Sequence, residues 1–99
     1  MFECFSKIFL NSRDFCSGIA RPLFQTFPKR IVEIGFGNGD YLVHLAERHG
    51  AGVLVLGLEV SAVCALKATK RLASMNLLNS RVIMGDARFV LENCFPEKS

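Results

Sequence analysis

Ninety-nine residues leave room for one small domain. With 51% apolar and 21% charged residues, a disordered chain is excluded, and the mean hydropathy of +0.31 is high for so short a soluble domain. Twelve Lys and Arg against nine Asp and Glu leave a net charge of +3, too mild to demand nucleic acid but compatible with it.

Residues 1–29 form a Phe-rich segment that carries six of the nine phenylalanines, Phe2, Phe5, Phe9, Phe15, Phe24 and Phe27. Phe2, Phe5 and Phe9, with Ile8, recur at helical spacing, which predicts an amphipathic helix broken near Asn11 to Asp14. The aromatics either pack on the main core or serve a partner or membrane surface, the latter with few basic residues to support it. Pro22 and Pro28 mark irregular backbone before the next element.

Residues 30–99 read as a second unit with a regular pattern. Ile31 to Ile34 is a short β-prone run, Asp40 to His49 places Leu42, Leu45 and Ala46 on one helical face, and Gly50 fits a helix C-cap. Val53 to Leu58 is an apolar strand of the kind covered on both faces. Ser61 is a candidate N-cap for a helix running to Met75, Arg81 to Met84 is a third strand, and Ala87 to Asn93 a third helix. Gly50 to Leu66 carries one charge in seventeen residues, but its length, Glu59 at its middle and its strand-turn-helix pattern argue against a membrane span. Alternating strands and helices predict an α/β fold of about three parallel strands with flanking helices.

The four cysteines, Cys4, Cys16, Cys64 and Cys94, are separated by eleven, forty-seven and twenty-nine residues, so no CxxC pair starts a metal site and none is expected. Met1 to Leu10 lacks a continuous apolar signal-peptide core. Reduced, mostly buried thiols and a cytoplasmic setting are the expectation.

Open α/β sheets bind ligands at the carboxyl ends of their strands. The turn after the first of these strands, Glu33-Ile34-Gly35-Phe36-Gly37-Asn38-Gly39-Asp40, has three glycines at alternate positions and lets backbone amides approach a ligand. The dinucleotide fingerprint needs its third glycine where Asp40 stands, and carboxylates at Glu33 and Asp40 would repel a pyrophosphate. A ligand with cationic groups is favoured. Asp40 is either a first-turn helix charge or a ligand contact, whereas Glu33 at the end of a buried strand needs a partner. Glu59, twenty-four residues after Gly35 and followed by Val60, stands where nucleoside-binding folds place the carboxylate for both ribose hydroxyls. Asp86, in Met84-Gly85-Asp86-Ala87, either accepts the amino group of an adenine or caps the next helix. The three acids at successive strand ends, Glu33, Glu59 and Asp86, define a site for a neutral nucleoside bearing positive charge.

This constellation resembles the S-adenosylmethionine-dependent methyltransferases of Rossmann-like fold. The strings VEIGFGNGDYLVHLAERH, LGLEV and RVIMGDARFVLE narrow it to a resemblance with the tRNA (guanine-N7-)-methyltransferase family, from about Ile31 to Phe95. The resemblance implies that Glu33 and the turn of Gly35, Gly37, Asn38 and Gly39 hold the methionine portion, Glu59 with Val60 the ribose, and Asp86 with Ala87 the adenine edge. It also implies tRNA as partner, with guanine N7 attacking the methyl carbon in line with the sulfonium.

Family members continue into a strand carrying Pro-Asp-Pro-Trp and a basic segment. This chain has no tryptophan and only Glu97, Lys98 and Ser99 after Pro96. The expectation is therefore an amino-terminal fragment, inactive alone, with unassigned catalytic residues and an open strand edge that invites self-association. Lys67, Lys70 and Arg71 on one helical face, and Lys29 with Arg30, are either solvated charges or phosphate contacts. The competing reading is a non-catalytic nucleoside-binding or partner-binding module with half a Rossmann fold.

Overall fold

The computed structural model describes residues 2–94, with side chains from Phe5 onward. Met1 and residues 95–99 lie outside it, including Phe95, where the family resemblance ends, and so do the side chains of Phe2 and Cys4. In chain order the elements are α1 (Phe2–Ile8), β1 (Phe9–Asn11), the short helical turn α2 (Ser12–Asp14), a π-helical segment (Phe15–Ile19) and α3 (Ala20–Thr26). They continue through β2 (Lys29–Ile34), α4 (Asp40–His49), β3 (Val53–Glu59), α5 (Ala62–Ser74), β4 (Ser80–Met84) and α6 (Ala87–Cys94).

The four strands make one all-parallel sheet in the order β1-β4-β3-β2. Parallel neighbours need crossover connections, and the helices α4 and α5 supply them. The apolar run of β3 is buried at five consecutive positions, Leu54 to Leu58, because it lies between β2 and β4 with both faces covered. The α/β class and the three strand-to-helix units follow the sequence pattern. The sheet also has a fourth strand that periodicity does not announce: Phe9 leaves the helical stripe and pairs with Val82, so α1 ends at Ile8.

Two cores flank the sheet. On one face, α1, α4 and α5 pack Ile8, Leu42, Ala46, Ala65 and Leu72 against Val55 and Val82, with Phe5 and Phe9 at the margin. On the other, the segment from Phe15 to Phe27 and α6 cover Leu54, Leu56, Leu58 and Ile83, with Phe15 fully buried. The aromatics of the amino-terminal segment thus divide between the two faces. Truncating a fully buried Phe costs about 3–5 kcal/mol, so Phe15 alone is a large fraction of the stability of so small a domain.

The thiols depart from expectation, because Cys16 and Cys94 form a disulfide while Cys64 stays free. Their separation of 78 residues gave no sign of proximity. The apolar stretch Gly50 to Leu66 divides into β3, a turn and α5; among the described residues no helix is long and apolar enough to cross a membrane.

Candidate functional site

All four strands point their carboxyl ends the same way, so the loops after β2, β3 and β4 share one rim. Two amides extend the ladder into that rim: Gly35 N donates to Leu58 O at 2.8 Å and Gly85 N to Glu59 O at 3.0 Å. The turn after β2 needs glycine, since Gly35, Gly37 and Gly39 have φ of +68°, +62° and +88°. A Cβ on Gly35 or Gly37 would meet nothing within 4 Å, leaving space beside the turn, whereas one on Gly39 would lie 2.7 Å from Ala68 Cβ. Gly39 is therefore also the point of closest approach to α5. Phe36 folds back under the turn onto Gly57 of β3, where a Cβ would strike its ring at 2.6 Å.

The three strand-end acids differ in how they are satisfied. Glu59 accepts one backbone donor on each oxygen, Gly37 N reaching Oε1 at 3.2 Å and Ser61 N reaching Oε2 at 3.1 Å. It fastens the glycine turn to the end of β3, and each oxygen keeps a second lone pair for a hydroxyl. Asp86 is exposed and its Oδ1 accepts from Arg88 N at 3.0 Å, so it does cap the start of α6 and retains a second oxygen. Glu33, opposite Gly57 in the ladder, is alone among the described residues in having a buried side-chain oxygen, Oε1, with no partner. Burial raises its pKa from the ordinary value by penalising the charged form.

Asp40 sits in the first turn of α4 and pairs with Arg71, which also donates to Asn38 O at 3.4 Å. Arg71 thereby leaves the basic trio with Lys67 and Lys70. Asn38 Oδ1 accepts from Asp40 N at 3.1 Å and helps shape the turn, while Val60 is 70% exposed at the rim and Ala87 half-buried. The structure brings Glu33, Glu59, Asp86 and the glycine turn to one rim and gives Asp40 a structural partner.

Sequence reasoning missed the amino-terminal contribution to this rim. Asn11 pairs with Met84, and a Cβ on Gly85 would lie 2.2 Å from Ser12 Oγ. Nothing in the local pattern of Asn11 and Ser12 signals that contact. Three cavities of about 340, 360 and 450 Å³ lie elsewhere, and none is lined by Glu33, Glu59 or Asp86.

A parallel sheet flanked by helices, with a glycine turn and carboxylates at successive strand ends, is a partial Rossmann-like methyltransferase fold. Residues 28–99 match the family described as "Putative methyltransferase", and the chain belongs to that family. It is similar to a tRNA (guanine-N(7)-)-methyltransferase of Thermotoga maritima, 46% identical over 78% of this chain and 24% of the relative. A tRNA (guanine-N(7)-)-methyltransferase of Thermus thermophilus is 43% identical over 64% of this chain and 20% of the relative. The chain thus spans about a quarter or less of these relatives, which are of the family its motifs resemble. A crystal structure of the N-terminal domain of EvdMO1 with SAH bound superposes with a TM-score of 0.54 at 25% identity, over 74% of this chain and 31% of that one.

Proposed function

We propose that this chain is the S-adenosylmethionine-binding part of a tRNA (guanine-N7-)-methyltransferase, acting in the cytoplasm where its substrate resides. The observation that carries the reading is the buried, unpartnered Oε1 of Glu33 near a glycine turn with open space beside Gly35 and Gly37. A cation placed there relieves the desolvation that raises the Glu33 pKa, and the ligand implied by the family carries an ammonium. In this reading Glu33 and the turn of Gly35, Gly37, Asn38 and Gly39 hold the methionine end. Glu59 would take the ribose hydroxyls on its spare lone pairs, beside the exposed side chain of Val60, while Asp86 and Ala87 border the adenine. The bound cofactor would supply a methyl group activated on sulfur.

These residues bind and orient. None is placed to act on a guanine, whose N7 has a free lone pair and needs no strong base, so positioning would supply most of the rate. The relatives have three-quarters or more of their length outside the matched region, and we assign tRNA contacts and methyl transfer to that remainder. Incubating the chain with methyl-tritiated S-adenosylmethionine and bulk tRNA checks both parts. The expected result is label retained by the protein at equilibrium and none in the tRNA. Label in tRNA guanine would overturn the division of labour, and no retained label would overturn the cofactor reading.

A further inference from the structure

We propose that the Cys16–Cys94 disulfide is a thiol-exchange site whose adjoining cavity takes a small anionic thiol. The bond ties the π-helical segment over one sheet face to the last residue of α6, across 78 residues of sequence. Both cysteines line a cavity of about 340 Å³ together with Arg21, Arg30, Gln25 and Asn93, and among the described residues no carboxylate lines it. That volume is at the lower end of small-molecule sites.

Among the described residues the charged side chains lining this cavity are both arginines. The Arg30 guanidinium lies 4.2 Å from the Phe24 ring centre, and its Nη1 donates to Phe24 O at 3.4 Å and Phe27 O at 3.3 Å, which fixes the group and leaves further donors. Among the described residues the ion pairs are Arg71 with Asp40 and Arg88 with Glu92, so neither cavity arginine is neutralised by a carboxylate. Two cations beside a disulfide attract an incoming anionic thiol and stabilise thiolates formed there.

The exchange proceeds by sulfur substitution. The incoming thiolate attacks Sγ of Cys16, the more exposed partner. A ligand–Cys16 disulfide forms as the Cys16–Cys94 bond breaks, and its electron pair leaves on Cys94, which solvent protonates. A second thiolate attacks the ligand's sulfur and displaces Cys16 as a thiolate. Two small thiols are oxidised to one disulfide, and the protein disulfide is reduced to two thiols.

Reduction rates of the full chain, read by thiol titration and intact-mass spectrometry, test this with glutathione against cysteamine at equal thiolate concentration. At low ionic strength the anionic glutathione should react about tenfold faster than the cationic thiol, and added salt should shrink the ratio. Arg21→Glu, at an exposed position, should abolish the preference; the salt series on the unaltered chain asks the same question without a variant. Equal rates, or faster reaction with cysteamine, would overturn the proposal. So would an air-exposed sample in which Cys16 and Cys94 titrate as free thiols.

Discussion

Glu33 and Glu59 lie near the ends of neighbouring strands, Glu33 opposite Gly57, and they differ in their hydrogen-bond partners. Glu59 accepts two backbone amides and shapes the site, whereas Glu33 holds an unsatisfied oxygen. A carboxyl whose folded pKa is raised binds more protons in the native than in the unfolded state. Its contribution to stability therefore falls as pH rises from the ordinary value near 4.5 through the raised one. Glu33→Gln removes that titration, so its stability relative to the unaltered chain should grow across this window; urea unfolding at several pH values reads the difference. The glycines of the turn divide similarly. Gly39→Ala meets both a left-handed backbone and Ala68, and should cost about 3 kcal/mol, while Gly37→Ala meets strain alone, about 1 kcal/mol. Thermal unfolding of the two variants separates them. The place of Glu33 near a strand end stood out because an acid there is costly without a partner, and that of Glu59 because of its spacing from Gly35. Asp40 was not legible, because the partner that settles its role, Arg71, comes from a helix 31 residues away.

At the scale of elements, β2, β3, β4 and the helices after them were legible because each carries its own periodicity. Ser61 accepts from Cys64 N at 3.3 Å as the N-cap of α5, and α4 spans Asp40–His49 as its pattern predicts. The three-residue β1 has no period of its own and exists because β4 offers an edge. Loop closures are equally non-local. Asn79 is buried and its amide donates to Ala46 O, Gly50 O and Val53 O at 3.0, 2.6 and 3.1 Å, joining the end of α4 to the start of β3. Asn79→Ala strands these carbonyls and should cost about 2–3 kcal/mol in chemical denaturation. A fluctuating loop after α4 would appear as faster amide exchange there, with the centre of β3 still protected.

For the whole molecule, the sheet ends in the three-residue β1 on one side and the six-residue β2 on the other. The radius of gyration of 12.1 Å is that of a compact chain of this length, but β2 pairs only with β3 and its outer edge has no neighbour among the described residues. Val32 and Ile34 on that strand are 36% and 57% exposed, apolar positions of a kind parallel sheets normally bury. We propose that this edge drives self-association. Sedimentation equilibrium should show a weight-average mass that rises with concentration, and Ile34→Lys, which puts a charge on the edge, should bring it toward the monomer. A concentration-independent monomer would remove the proposal.

The amino-terminal segment and the three strand-to-helix units converge on the carboxylate rim, and the account rests on that rim binding a nucleoside that carries an ammonium. Calorimetric titration with S-adenosylhomocysteine tests it most directly, because this ligand keeps the ammonium, ribose and adenine while lacking the sulfonium charge. The prediction is saturable binding, weakened about ten- to a hundredfold by Glu33→Gln in a sample whose circular dichroism is unchanged. No binding by a well-folded chain, or equal affinity in the Glu33→Gln variant, would contradict it.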